Sequence, residues 1–599
     1  MRSGVVLVLL VSLTTGGVLW SPTSAAPVTG HPRLWLTAND LPRLRSWAVE
    51  SNPLYRDGLG AVALEAKADM DAGLVPGEDG GGRTYELYPT EMYAELFGFM
   101  SLISNDQVAR DDYAQRARTL LMGVINEAAQ GAAEGQPFRD PDFSISDRSR
   151  WQGEAFALTV DWIYSYLSAA DKATIRQVFL RWAEENLRAE TTTYNHPEPI
   201  GVVNDPVLVS DPIRVRYAAN NYYTAHARNL GLMAMALDPA DDPGGALGSY
   251  LGSATGAWLY VIDYLLRHDA RGGLAPEGFE YSPQAVGYVA QLLLALHTAG
   301  QDDPSLWGPQ VMLAANPFWD DLVTAYFHSL SPAALAHPWL GEVYQPAWYG
   351  DGQNYWATDF IEAFGPLGWY DSITRNPARL DALRWIETYL APGGAESLLE
   401  RAGDDNAFHN AILYFLLFDP AAPPPSDPRS ALPLAFLAPG IGHILARTSW
   451  GSDATWFTYS LGWNSIDHQH SDGNQLEFYR QGEWLTKERT GYGFNIGSSD
   501  YHNTLALEND PPEHNEPDDY RHQLWLRGSQ WPLSPSADGQ IVACSLGQGF
   551  VYALGDATGL YNSDYEGSRD ITHASRSIVW LEPDHIIVYD RATSRTAGR

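Results

Sequence analysis

A chain of 599 residues has the length for more than one domain and for two sizeable cores. Its formal net charge is −35, with 73 acidic against 38 basic side chains, which argues against nucleic acid and anionic membrane surfaces as partners. A local basic cleft for an acidic substrate stays compatible with that charge. The one cysteine, Cys544, cannot form an internal disulfide, so any structural cross-link has to be a metal. Tyrosine and tryptophan are abundant. Most such rings serve packing, and exposed ones are of the kind that stack on sugar rings.

The first 26 residues read as an export signal. Arg2 supplies a short basic start, Val5–Val11 an apolar run, and Thr23-Ser-Ala-Ala26 a small-residue cleavage site after Ala25 or Ala26. No later run is apolar and long enough to span a bilayer. From about 30 to 421 the pattern is helical. Asp40-Leu-Pro-Arg-Leu44 looks like a helix start, with Asp40 as N-cap. Gln152–Tyr164 is apolar nearly all round, and the amphipathic stretch Asp171–Ala183 follows it. Further helices are expected near Asn221, Ser253, Ser282, Pro317, Pro377 and Asn406. Paired helices without a fixed-length repeat predict an (α/α) toroid rather than a repeat superhelix.

Residues 422–429, Ala-Pro-Pro-Pro-Ser-Asp-Pro-Arg, read as a stiff linker, and a pivot near Pro423–Pro425 would let two domains close on each other. From 430 to 599 the character changes. Trp456–Trp463, Gln475–Trp484, Ile541–Leu546, Phe550–Ala553 and Ile578–Val588 are short runs rich in β-branched and aromatic residues, and predict an antiparallel β-sandwich. So few strands suggest that the sandwich continues beyond Arg599. The fold class expected is therefore α+β and multidomain.

The densest chemistry lies in Asp467-His-Gln-His-Ser-Asp-Gly473, followed by Tyr501-His-Asn-Thr504. On an extended strand, His468, His470 and Asp472 would share one face. That places a proton-transfer imidazole beside a metal-ligating one. Asp472-Gly473 also reads as a plain turn.

Helical toroid, proline linker and a His-x-His segment opening a β-domain resemble the heparinase II/III-like polysaccharide lyases. The resemblance covers most of the chain and is strongest over Asp467–Thr504. There the family's His-x-His-x-Asp, "G-E-W-L" and "H-N-T" patterns are matched by His468–Asp472, Gly482–Leu485 and His502–Thr504. His31-Pro-Arg-Leu-Trp-Leu-Thr37 also looks like the opening of such proteins. Ala218–Thr224 resembles the family's asparagine-bearing helix, so the resemblance implies that Asn221 contacts the substrate carboxylate. Pro276–Tyr288 resembles the tyrosine-bearing loop and helix, with Tyr281 or Tyr288 as the catalytic phenol. Asn220, Tyr222 and Glu277 sit in the same motifs and are expected to bind substrate. The resemblance further implies a structural zinc held by His470, His502 and an acid, either Glu488 or Asp472. The alternative is a direct hydrogen bond between His502 and Glu488 without metal.

The reaction implied is β-elimination in a uronate-containing, anionic polysaccharide. The carboxylate must be neutralised, here by Asn221 and His468, so that charge developing at C5 is stabilised. Tyrosine and histidine then act as base and acid. A phenol is a poor base without a nearby cation, for which Arg148, Arg150, Arg214 and Arg216 are candidates. Two other classes remain. A glycoside hydrolase on the toroid would need paired carboxylates, for which Glu277, Glu280 and Asp263 are available. A non-catalytic glycan-binding protein would need only the aromatic platforms.

Overall fold

The computed structural model describes residues 28–75, 87–130, 147–187, 203–492, 496–508, 528–531, 538–562 and 568–597. The export signal and its cleavage site lie outside these residues. None of the described helices is long and apolar enough to cross a membrane.

Six helices form an inner ring: Thr90–Ile103, Asp147–Trp162, Asn221–Ala236, Gly278–Thr298, Ile361–Thr374 and Phe408–Leu417. Each packs on the next, and the last returns to the first. Every residue of Thr90–Ile103 and of Asn221–Ala236 is buried. A helix enclosed on all sides has no solvent face, so the polar side chains it carries, such as Asn221, Arg228 and Asn229, take their partners from inside the ring. Gln107–Gln130, Ala169–Leu187 and Pro377–Tyr389 lie outside the ring and keep one wet face. The inner helices all start at the same end. Arg150, Asn221 and Glu277 meet there from three consecutive helix starts. Early residues of the other three helices, Met92, Glu362 and His409, line one cavity at that end. The positive ends of six helix dipoles therefore face one mouth.

The opposite end is closed by the chain's beginning. Asp161 accepts hydrogen bonds from the backbone N–H groups of Arg33 and Leu34, and its carboxylate meets His31 at 2.6 Å. Trp35 is fully buried beside it. The His31–Thr37 motif is thus a structural plug, and its Trp35 reaches inward to pack edge-on against His409, with ring centroids 5.4 Å apart. Asp40 does not cap its helix. Its carboxylate accepts from Thr37 instead.

After a short hairpin, β1 (Leu335–His337) and β2 (Gly341–Val343), the remaining strands make two antiparallel sheets. The first has five strands in the order β3 (Ala435–Ala438), β4 (His443–Arg447), β5 (Trp456–Ser460), β6 (Gln475–Arg480), β7 (Glu483–Thr486). The second has four, β8 (Gln540–Gly547), β9 (Phe550–Asp556), β10 (Ile571–Leu581) and β11 (His585–Ser594), with β8 and β11 at its edges. Ile444, Phe457, Leu476 and Phe478 of the first sheet pack on Val551, Ala553, Ile578 and Trp580 of the second. The expected run Ile578–Val588 spans a hairpin turn. The expectation missed β3 and β4, of which β4 is buried on both faces and lacks the alternation of a half-wet strand.

The other face of the first sheet lies on the toroid. Leu445, Trp456, Trp463 and Tyr479 belong to the same apolar cluster as the inner helices. Arg447 crosses this boundary and donates to the carbonyls of His328 and Leu330, at 3.0 and 2.7 Å. The first carbonyl ends the helix Phe318–His328 and has no partner within it, and the second lies two residues beyond that end. Burial brings the Arg447 guanidinium down to about 9. The linker is also tied to the toroid, since Arg384 donates to the Pro423 carbonyl and Ser426 N–H to Asp381. Both contacts fall at or next to the expected pivot at Pro423–Pro425. A continuous apolar interface with a buried arginine across it holds the two parts as one body. Trp456→Ala should cost about 3–5 kcal/mol of stability, with toroid and sandwich still unfolding in one calorimetric transition. Two separated transitions in the wild type would show that this interface does not couple them.

Candidate functional site

The site lies where the toroid mouth meets the loop joining β5 to β6. That loop is not the strand expected from its alternation. His468 has a left-handed backbone, φ 64°, and no residue from 466 to 474 is in a strand. The turn sends both imidazoles to one acceptor. His468 Nδ1 and His470 Nε2 each lie 3.0 Å from an oxygen of Asp351, one on Oδ2 and the other on Oδ1. Asp351 comes from a toroid loop, and its N–H donates to the His468 carbonyl at 2.9 Å. Burial alone would raise the Asp351 carboxyl, but the hydrogen bonds from the two histidines outweigh it and bring it to about 2. Burial would likewise lower His468. Its bond to Asp351 and the charges of Glu277, Asp467 and Asp351 raise it instead. With Nδ1 held by Asp351, the proton-transfer atom of His468 is Nε2.

Tyr281, near the start of Gly278–Thr298, stacks on His468 with ring centroids 3.7 Å apart and planes 16° apart. Burial, then a hydrogen bond with Tyr492, raises its phenol well above the usual range. The resting phenol is therefore neutral. Tyr288 sits elsewhere. It is buried under the Arg228 guanidinium, 4.2 Å from its ring centroid, and has no contact with His468. The geometry separates the two tyrosines and puts only Tyr281 beside the imidazole.

Behind Tyr281 lies a buried polar knot. Asn220 caps the helix Asn221–Ala236 by accepting from Tyr222 N–H at 3.0 Å. The amides of Asn220 and Asn221 and the Asn221 N–H all donate to the Glu277 carboxylate at 3.0 Å. Burial raises Glu277 to about 7, despite the His468 charge and these bonds. Arg150 donates to Asn221 Oδ1 at 2.8 Å and lies over the Tyr222 ring. Asn221 is fully enclosed, at 0% exposure. What it touches is Arg150 and Glu277, so its visible work is to orient them. Of the four arginines considered, Arg150 is the one beside the site. Arg216 instead bonds Ser465 and Asp538 across the domain boundary. No described contact brings Arg214 to Tyr281 or His468, and the Arg148 side chain lies outside the description.

The predicted metal group also assembles. His470, Glu488 and His502 are buried, with ligand atoms all within 4.8 Å of one another. His502 Nδ1 lies 2.5 Å from Glu488 Oε1, and His470 Nδ1 3.9 Å from the same oxygen. These atoms are close yet not aligned as hydrogen bonds, and His470 Nδ1, Glu488 Oε1 and both His502 nitrogens lack a hydrogen-bond partner. Three buried side chains bring together the two-imidazole, one-carboxylate donor set that zinc takes, and the His502–Glu488 contact is as short as a charged hydrogen bond. Asp472 is near enough to be affected by their charges, and burial raises it to about 6, but it is not part of the group. Asn503 is structural. It accepts from Leu476 N–H and donates to Thr486, pinning the segment to β6 and β7.

Asp351 and the role of Arg150 could not be singled out from the sequence. The signal near Asp351 is Tyr349-Gly-Asp-Gly352, a glycine-flanked acid. Gly350 (φ +72°) lies between two carbonyls. A Cβ there would sit 2.8 Å from the His468 oxygen and 2.9 Å from the Glu277 oxygen. Of the hydrolase candidates, Asp263 is engaged by Arg267 and Asn316 away from the mouth, while Glu277 binds Asn220 and Asn221 and Glu280 meets Tyr492.

No family model and no curated protein matches this sequence. Among solved structures, the chain is similar to the heparan sulfate lyase HepC from Pedobacter heparinus, with a TM-score of 0.42 and 12% identity over 94% of this chain and 78% of that one. It is also similar to heparinase III, with a TM-score of 0.39 and 11% identity over the same shares. Likeness this distant does not bear on the reaction, which has to be argued from the site itself.

Gly350→Ala should lose about 1–3 kcal/mol from the strained backbone alone, and more from the two carbonyl clashes, read by urea denaturation. A variant as stable as wild type would mean that the three segments are not held as tightly as described.

Proposed function

We propose that this protein is an exported polysaccharide lyase that cleaves a uronate-containing glycan by β-elimination. The observation that carries the reading is the Tyr281–His468 stack, with His468 fixed by Asp351 and Arg150 at its back. Neutral phenol and oriented imidazole, side by side, are a matched acid and base. His468 Nε2 takes the C5 proton. The C5–H electrons form the C4=C5 double bond, the C4–O4 bond breaks, and O4 takes the Tyr281 proton. A base whose pKa is raised holds the abstracted proton more strongly. Arg150, oriented by Asn221, supplies the positive charge that the uronate carboxylate needs, since the enolate can form only if that carboxylate is neutralised. This assigns neutralisation chiefly to Arg150 and gives Asn221 and Glu277 the task of positioning it. The resemblance of the Asn221, Tyr281 and His468 motifs to the heparinase II/III-like lyases agrees with this arrangement, and the export signal fits an enzyme that meets polymer outside the cell.

The test is ultraviolet absorbance of unsaturated uronate on a panel of uronans. Wild type should produce it, His468→Ala should abolish it with the melting temperature kept, and Tyr281→Phe should cut turnover about 100-fold or more. Reducing ends without absorbance would instead indicate hydrolysis. Full activity in His468→Ala would remove it from the mechanism.

We further propose that His470, Glu488 and His502 hold one zinc ion. Its chemistry there is structural, a cross-link between the β5–β6 loop and the Tyr501–Thr504 segment in a chain without disulfides. Metal analysis should find about one zinc per chain. A chelator and His502→Ala should each lower the melting temperature. Metal-free protein melting at the same temperature as the untreated sample would rule out that role.

A further inference from the structure

The cavities at the two ends of the toroid hold ion pairs of their own. In the larger, about 500 Å³, Asp238 and Asp242 meet Arg33 and Arg176. In the smaller, about 260 Å³, Glu95 and Glu154 meet His409 and Arg228. The surface beside the mouth instead carries rings that stand open to water. Trp339, on the turn between β1 and β2, is 86% exposed, more than any other large apolar side chain among the described residues. The hairpin holds it in place. His337 Nδ1 accepts from the N–H groups of Trp339 and Leu340, at 3.4 and 3.3 Å. The Glu342 carbonyl accepts from Gly393 N–H at 2.9 Å, which ties the hairpin to the segment after the helix Pro377–Tyr389. Single exposed apolar residues are ordinary. Trp339 is not single, because the His337 ring lies between it and Trp356, with centroids 5.6 and 4.7 Å away.

Trp356 belongs to the loop that carries Asp351, so one loop runs from the site to the hairpin. Gly352 N–H donates to the Gly491 carbonyl at 3.1 Å. Gln353 N–H reaches Glu280 at 3.4 Å, and Tyr492 meets the other oxygen of the same acid. Tyr492 also hydrogen-bonds Tyr281. Tyr355 follows, with the Lys487 ammonium 4.2 Å from its ring centroid and 5.1 Å from that of Trp484. Tyr492 and Tyr355 are both exposed. From Gln353 to Trp356 the chain spans at most about 10 Å. The order outward from the stack is therefore Tyr281, Tyr492, Tyr355, Trp356, Trp339. A sugar ring packs its apolar C–H face on an aromatic face and keeps its hydroxyls in water. A half-wet row of rings, with Gln353 and His337 between them, suits such a ligand better than it suits a protein, which needs a contiguous apolar patch. Lys487 within the row adds attraction for an anionic chain.

We propose that this row is a second polysaccharide-binding site, an outer platform on which an anionic glycan chain lies several sugars away from the bond being cut. Trp339 is its far stacking surface and Lys487 its cation. That the same chain is cut at the Tyr281–His468 stack rests on the lyase reading. That the platform binds it does not. The platform makes affinity depend on chain length. A polymer reaches both the stack and Trp339, whereas a tetrasaccharide centred on the stack holds only the inner part of the row. The far contact acts on capture of the chain, since Trp339 touches no reacting atom.

The first arm of the test needs no turnover. Hyaluronan, alginate and heparan sulfate, each as polymer and as tetrasaccharide, are titrated by calorimetry into full-length His468→Ala protein with and without Trp339→Ala. The polymer that binds should lose about tenfold in affinity on Trp339→Ala, and its tetrasaccharide less than about twofold. Trp339→Tyr, which keeps a ring at the tip, should restore most of the loss. Lys487→Gln should flatten the fall of polymer affinity with salt. Equal polymer affinity with and without Trp339 would overturn the proposal, as would an equal loss on the tetrasaccharide or no binding of any polymer. So would sedimentation showing that Trp339 joins two copies of the chain while polymer affinity ignores it. The second arm measures unsaturated product with His468 intact. There the Trp339→Ala loss should fall on KM, about tenfold for polymer and less than about twofold for tetrasaccharide. Length-dependent binding through Trp339 without unsaturated product from any uronan would keep the platform and sink the lyase reading. Unsaturated product with the same polymer KM in wild type and Trp339→Ala would do the reverse.

Discussion

One carboxylate holds the site together. Asp351 leaves the toroid on a glycine-flanked loop and accepts from both His468 and His470 of the β-domain, one imidazole on each oxygen. An anion this enclosed would be costly alone. Two donors and the adjacent backbone bond to His468 make it the preferred form, which the drop to about 2 expresses. The same contact fixes which nitrogen of each ring is left over. His468 keeps Nε2 for the cleft, and His470 keeps Nδ1 for Glu488 and the proposed metal. Proton transfer on one side and cross-linking on the other thus share one anchor.

That anchor requires the two domains to hold still. An acid–base pair split across a hinge would lose its geometry with every opening. The interface prevents this with an apolar cluster continuous from helix to sheet and with Arg447 capping a helix end across the boundary. The site is therefore held in place before anything binds at the mouth.

The two-part architecture was legible because each part has its own period. The enclosed segment Gln152–Tyr164 read as nearly apolar all round, the outer Asp171–Ala183 as amphipathic, and the sandwich strands as short β-branched runs. β4 was lost because a strand buried on both faces has no alternation to read. The group His470, Glu488 and His502 was legible from residue type and order. The conformation of its loop was not, because the sequence offers two histidines at i and i+2 and the chain turns through a left-handed His468 to bring them together. The sequence favoured Tyr281 over Tyr288 only slightly, through the loop pattern Pro276-Glu-Gly-x-x-Tyr281. They are seven apart on one helix face, and only the position of His468 decides between them. Asp351 is over a hundred residues from its partners, and nothing local marks an acid that will be clamped by distant imidazoles.

Charge shows why a strongly acidic chain can still suit an anionic polymer. At the mouth, six helix starts and Arg150 oppose the net charge over a short distance, where the uronate would lie. A few residues deeper, Glu95, Glu154 and Glu362 face His409 and Arg228 across the smaller cavity, so the cationic character is confined to the mouth itself.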